Sequence, residues 1–346
     1  MAIARTGMEI ILNHTLCTSL DQAEKAATPD VAAFLKEWYD ESPYVIGHTS
    51  GSTGTPKEIR LLKSDMLASA QITNRFFQIR EGSKMLLCLS PAYIAGKMMI
   101  VRALSAKADL LCVPPASLPL KTIEESVQLA AMVPAQVAAI LSDPEETSRL
   151  SFVSQLIVGG AVLSPEVERR LSELPVVSYA TYGMTETVSH IALRKVGCSN
   201  SYFALGDVTF STDERGCLVI DAPHLSARRF VTNDVVTRVD SRRFEWVGRY
   251  DHVINTGGVK VFPEQIERKI ASLLDVRYFI TSLPDERWGE KVVLAIESPQ
   301  PDEATLGRLR VALATCLNRY EMPKEIRFLS RFQETYSGKV VRRLNV

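Results

Sequence analysis

Residues 44–57 read YVIGHTSGSTGTPK, and this stretch decides the architecture. Tyr44 to His48 is a short β-favouring run that opens into Thr49, Ser50, Gly51, Ser52, Thr53, Gly54, Thr55, Pro56 and Lys57. Hydroxyl side chains and glycines let such a loop turn its N–H and O–H donors onto one anion, and Lys57 adds a point charge. No G-x-x-x-x-G-K-[ST] occurs here, so this is not a Walker loop. A plain Ser/Gly linker would not follow a β run, close on Pro-Lys and lead into strand and helix patterns. The stretch predicts a phosphate-holding loop at a strand end.

Working outward, residues 1–43 read as an irregular opening with one amphipathic helix over Thr28–Tyr39, capped by Thr28 and Pro29. Downstream, a helix from Ser64 is followed by alternating units. MLLCLS (85–90) and ADLLCVPP (108–115) read as strands, and KMMIVRALSAK (97–107) and TIEESVQLAAM (122–132) as helices. QVAAIL, SFVSQLIVGGA, PEVERRLSEL and PVVSYATYG continue the alternation. Short apolar runs between helical patterns predict crossover units on a mainly parallel sheet, an α/β fold. The texture changes near Ser201. DVTFSTDERGCLVIDAP (207–223) predicts a hairpin turning at Asp213–Gly216, and short β runs continue to Arg249, giving a β-rich subdomain. Beyond a boundary at Gly248–Asp251 a small α+β unit is expected, with helices at Pro263–Leu274 and around ALATCLNRY (312–320) and strands at RYFIT and KVVLAI. The expected domains are 1–248 and 249–346.

Forty Lys+Arg balance forty Asp+Glu in 346 residues, which argues against nucleic acid or a membrane surface as the main partner. Cys17, Cys88, Cys112, Cys198, Cys217 and Cys316 lack C-x-x-C spacing and read as buried small side chains in a reducing compartment. With no signal-like segment and no apolar run near ~20 residues, a cytoplasmic chain without a membrane span is expected.

Four further blocks follow the loop in order: Tyr182-Gly183-Met184-Thr185-Glu186-Thr187; Asn233-Asp234; Gly248-Arg249-Tyr250-Asp251 with Gly257-Gly258, Pro263 and Ile266-Glu267; and Ser337-Gly338-Lys339. Together with TSGSTGTPK they resemble the signatures of the adenylate-forming superfamily of acyl-CoA synthetases, peptide-synthetase adenylation domains and luciferases. The resemblance implies ATP, Mg²⁺ and CoA as co-substrates. Thr49–Lys57 would hold the β,γ-phosphates. Adenine would lie between Tyr182 and the backbone of Gly159, Gly160 and Ala161, with Gly183 beside it. Thr185 and Glu186 would meet the α-phosphate, Glu186 also holding Mg²⁺, a hard cation suited to oxygen ligands. Asp234 would bind the ribose hydroxyls, with Arg249 nearby. Lys339 would bridge the substrate carboxylate and the α-phosphate. Asp251 would be the hinge about which the small domain turns, exchanging Lys339 for the Gly257-Gly258 loop. In most relatives well over a hundred residues precede the phosphate loop, so the resemblance also implies a truncated N-terminal subdomain. Neighbouring elements or a second subunit would then cover the exposed face, allowing a homo-oligomer.

Within the superfamily, IAGKMM (94–99), YGMTETVSHIALR (182–194) and INTGGVKVFPEQIE (254–267) are similar to short bacterial o-succinylbenzoate–CoA ligases of menaquinone synthesis. Many relatives carry an aromatic-His pair where this chain has Tyr93-Ile94. The acid implied has two carboxylates, one activated and one retained. A buried carboxylate needs a cationic or hydrogen-bonded partner, and Lys97, His190 and Arg194 are the candidates. A CoA ligase for another aryl or short acid, and a nucleotide-binding protein without catalysis, are the competing readings.

Overall fold

The computed structural model describes residues 7–48, 58–334 and 340–344. The opening is ordered rather than irregular. Strands β1 (Ile10–Leu12) and β2 (Thr15–Cys17) form a hairpin, and helices α1 (Leu20–Ala26) and α2 (Pro29–Tyr39) follow. Pro29 starts α2, which buries Val31, Phe34, Leu35 and Trp38 along one face. Strands β3 (Tyr44–His48) and β4 (Glu58–Leu62) pair antiparallel and lead into and out of residues 49–57. Helix α3 (Lys63–Phe77) follows.

Next come β5 (Lys84–Leu87), α4 (Ile94–Ala106), β6 (Asp109–Cys112), β7 (Val127–Met132), α5 (Pro134–Ser142), α6 (Pro144–Arg149), β8 (Val153–Val158), α7 (Pro165–Ser172) and β9 (Val177–Gly183). Residues 122–132, expected as a helix, instead supply β7. That strand lies between β5 and β8 and is buried on both faces, so tertiary packing overrides the helical bias of its Gln and Ala. Then follow β10 (His190–Lys195), β11 (Ser201–Ala204), β12 (Thr209–Thr212), β13 (Cys217–Asp221), β14 (Arg229–Arg238) and β15 (Arg243–Arg249). The expected hairpin is β12–β13.

These strands form a 13-stranded sheet in the order β12-β13-β14-β15-β11-β10-β9-β8-β7-β5-β6-β1-β2. From β1 through β6, β5, β7 and β8 to β9 each neighbour pair is parallel, and from β9 to β12 each is antiparallel. Alternate residues feed separate cores on the two faces: Met85, Leu129 and Ile157 on one, Leu86, Ala130 and Leu156 on the other.

The C-terminal unit contains β16 (Ile254–Thr256), β17 (Val259–Val261), α8 (Pro263–Ile270), β18 (Tyr278–Asp285), β19 (Gly289–Glu297), α9 (Glu303–Cys316) and β20 (Glu325–Leu329) in a five-stranded sheet. Its own core includes Ile254, Ile266, Val292, Leu294 and Leu313. Helix α8 stops at Ile270 and gives way to a 3-10 turn ending at Leu273, one residue short of the expected end. Helix α9 begins well before ALATCLNRY and ends at Cys316. Asp302 explains the early start, because its side chain accepts the Thr305 N–H as an N-cap. Of the six cysteines Cys17, Cys88 and Cys217 are buried, but Cys198 is exposed. No described helix is long and apolar enough to cross a membrane.

Candidate active site

Ligands of open α/β sheets sit beyond the carboxyl ends of parallel strands, and several signature residues lie there. Gly159, Gly160 and Ala161 leave the end of β8; Tyr182 and Gly183 end β9. The β8–β9 register pairs Val158 with Ala180, so the two ends are neighbours. A Cβ on Gly183 would stand 2.4 Å from the Ser189 carbonyl oxygen, a contact that only glycine avoids. Residues Thr185–Thr187 then form one 3-10 turn that leaves Glu186 exposed and Thr185 half-buried. Strand β3 reaches the same place: a methyl group on Gly47 would lie 3.5 Å from Thr185 Cγ2.

Asp234, on β14, is held from two sides. Tyr182 Oη donates to its Oδ2 at 2.6 Å and Trp246 Nε1 to its Oδ1 at 3.1 Å. Burial, and then the Asp234 charge, push the Tyr182 phenol well above its ordinary range, so it stays a protonated donor. Its ring is fixed edge-on to Phe244, with centroids 5.0 Å apart. Arg249 lies 3.7 Å from Asp234 and donates to Asp251 Oδ2 at 2.7 Å. Asp251 is exposed in the 3-10 turn Tyr250–His252, where the chain passes from the large sheet to the small one. His252 Nδ1 lies 2.5 Å from Glu264 Oε1 at the start of α8.

Gly257 and Gly258 form the two-residue turn between β16 and β17, with φ of 58° and 79°. A Cβ on Gly257 would come within 2.7 Å of the Trp288 ring. Arg287 and Lys324 lie 5.4 and 5.2 Å from the centre of that ring, and Arg319 lies 4.4 Å from that of Tyr320. This grouping of aromatic faces and cations beside the glycine turn was missed in the sequence, where its members are scattered from 257 to 324.

The expected cations of the acid pocket all have partners. Lys97 Nζ is 2.5 Å from Glu37 Oε2. Arg194 Nη1 donates to Glu168 Oε2 at 3.0 Å. His190 is buried with Nε2 at 3.1 Å from Thr73 Oγ1; burial, and then Arg102, hold its pKa well below the usual imidazole value, so it is neutral. Arg102 was not anticipated. It is 2% exposed on α4, and no acid pairs with it among the described residues. Its Nη2 donates to Ser189 Oγ at 2.6 Å and its Nη1 points to Met99 Sδ at 3.4 Å, but its Nε has no partner among the described residues. Burial pulls its pKa down to about 9, which still leaves it charged at neutral pH. The available signal was an arginine inside the apolar run MMIVRAL.

No group of three His, Cys, Asp or Glu able to hold a metal occurs among the described residues. A single exposed carboxylate at Glu186 fits Mg²⁺, which keeps waters and takes most other ligands from substrate phosphates. Thr49, Ser50, Gly51, Ser52, Thr53, Gly54, Lys57 and Lys339 lie outside the described residues.

Residues 5–220 match the family of AMP-binding enzymes. A probable 2-succinylbenzoate–CoA ligase of Mycobacterium tuberculosis is 27% identical over 88% of this chain and 84% of the relative. Among solved structures, the acyl-CoA synthetase (AMP-forming)/AMP-acid ligase II-like protein of Dyadobacter fermentans is 33% identical, covering 93% of this chain and 95% of its own, with a TM-score of 0.63. The o-succinylbenzoate–CoA synthetase of Bacillus subtilis with its acyl-adenylate intermediate superposes with a TM-score of 0.75 over 86% of this chain and 67% of its own; at 18% identity that likeness shows the fold alone. The chain belongs to the AMP-binding enzyme family and is an AMP-forming acyl-CoA ligase.

Proposed function

We propose that the acid is o-succinylbenzoate and the product o-succinylbenzoyl-CoA. The observation that carries this reading is the buried Arg102, which has no acid partner among the described residues. A guanidinium taken out of water is costly unless an anion meets it, and an acid whose second carboxylate survives the reaction supplies one. Arg102 reaches Ser189, three residues beyond Glu186, so the cation lies just below the turn assigned to the α-phosphate. A fatty-acid pocket has no use for it. The name of the M. tuberculosis relative supports the same acid.

In this reading the succinyl carboxylate attacks the α-phosphorus and pyrophosphate leaves. The CoA sulfur, having lost its proton to solvent, then attacks the acyl carbonyl and AMP leaves. Residues 49–57 would hold the departing phosphates and Lys339 would bridge the two anions. Asp234, oriented by Tyr182 and Trp246, takes the ribose hydroxyls. Bound Mg²⁺ supplies charge neutralisation on the phosphates, and Glu186 is the carboxylate that would hold it. The cations around Trp288 and Tyr320 suit the phosphates of CoA, beside the Gly257-Gly258 turn that serves the second step.

The test is thioester formation from o-succinylbenzoate, ATP, Mg²⁺ and CoA, with benzoate and hexanoate as controls. Product from the diacid alone is expected; equal rates with either control reject this acid. Absence of ATP–pyrophosphate exchange with every acid supports the non-catalytic reading instead. If Asp251 is the hinge, Asp251→Pro, which fixes φ at that point, leaves exchange measurable and blocks thioester formation. Normal rates of both steps remove the hinge role.

A further inference from the structure

We propose that Glu37 and Lys97 are positioning residues for the nucleotide phosphates, a proposal that rests on the ligase reading above. Among the described residues, strands β3 and β4 pair only with each other and join neither larger sheet. A two-stranded ribbon is marginal alone, so its placement comes from side chains. Glu37, in the last turn of α2, accepts the Ile46 N–H of β3 at 2.7 Å through Oε1. Its Oε2 takes Lys97 Nζ of α4 at 2.5 Å. Lys97 is 7% exposed, its Nζ lies 4.8 Å from the centre of the Phe34 ring, and Glu37 is its acid partner. That ammonium is already neutralised, so it is poorly suited to bind a substrate carboxylate.

One carboxylate thus joins three elements. Ile46 stands three residues before Thr49, and its neighbour Gly47 lies beside Thr185, whose Cγ2 would be 3.5 Å from a methyl group placed there. A second tie lies just past the far end of the ribbon, where Lys63, the first residue of α3, donates from Nζ to Oδ1 of Asp40, the residue that follows α2, at 2.7 Å. The Glu37–Lys97 pair thus fixes where β3 ends, just before Thr49 and beside Thr185.

The test is steady-state ATP–pyrophosphate exchange on the full chain with Glu37→Gln, Lys97→Met and the double variant, each checked by thermal unfolding. Glu37→Gln keeps an acceptor for Ile46 N–H but loses the charge facing Lys97. Each single variant should raise the KM for ATP about tenfold or more while the KM for the acid stays put. The double variant should be little worse than either single one, as for residues acting as a unit. A generally loosened fold would raise both KM values and lower kcat together, which counts against the proposal. If Lys97 meets the acid instead, Lys97→Met raises the acid KM alone and Glu37→Gln does not follow, overturning it. Should Glu37→Gln fail to fold, Lys97→Gln carries the same expectation. An unaltered chain without exchange fails the ligase reading; an active one whose variants keep the ATP KM fails this inference alone.

Discussion

Lys339→Ala should abolish adenylate formation while leaving thioester formation from pre-made acyl-adenylate largely intact. Adenylation brings a carboxylate against a phosphate, and their repulsion in a water-poor site amounts to several kcal/mol. A cation between them offsets that repulsion and follows the charge that builds in the transition state. Losing one such electrostatic group costs about 10²–10³-fold in rate, and more where two anions are left facing each other. The second step needs no such bridge, because the adenylate is already an acyl phosphate under attack by sulfur. Single-turnover assays of each half-reaction separate the two steps. Equal losses in both would sink the proposed role.

Arg102→Met should raise the KM for the diacid by about 10²-fold or more and leave the KM for ATP near its starting value. Removing one member of a buried ion pair costs about 3–5 kcal/mol, and each 1.4 kcal/mol is about a factor of ten. The same variant should make the free chain more stable. With no acid beside it among the described residues, Arg102 is a charge buried at a cost, and a methionine of similar length fills the space without it. Each kcal/mol recovered raises the melting temperature by about 2–4 °C. Opposite signs for stability and diacid affinity distinguish a charge kept for a ligand from one kept for the fold. A variant both less stable and unchanged in KM would mark Arg102 as structural. Burial lowers its pKa to about 9, below its unfolded value. The penalty is therefore fully present at neutral pH and fades only as pH rises through and beyond 9.

The alternating units from β5 to β9 were legible because each parallel strand is a short apolar run set off by turn residues. The β12–β13 hairpin was legible from its Asp213–Gly216 turn. Strand β7 was not: it carries Gln128 and two alanines, residues at home in helices, and only its place between β5 and β8 makes it a strand. The β1–β2 hairpin was hidden because each strand has three residues, too few to show a period, and β1 gains its stability by pairing with β6 some hundred positions later. In the site, residues carrying a signature were legible by position, and partnerships were not. Lys97 and Arg194 looked available until Glu37 and Glu168 met them from other elements. Arg102 looked like one charged residue in an apolar helix, and only the absence of an acid from its described surroundings distinguishes it.

The isolation of the β3–β4 ribbon has a consequence for amide hydrogen exchange. Protection in a large sheet is shared among many strands, whereas this ribbon relies on one ladder and a few side-chain ties to α2. Its amides are expected to exchange through local opening, ahead of those in β7 or β8. If residues 49–57 hold the polyphosphate as proposed, it is received next to a ribbon expected to open early, and a bound nucleotide should slow exchange in β3 and β4 before it slows it anywhere else.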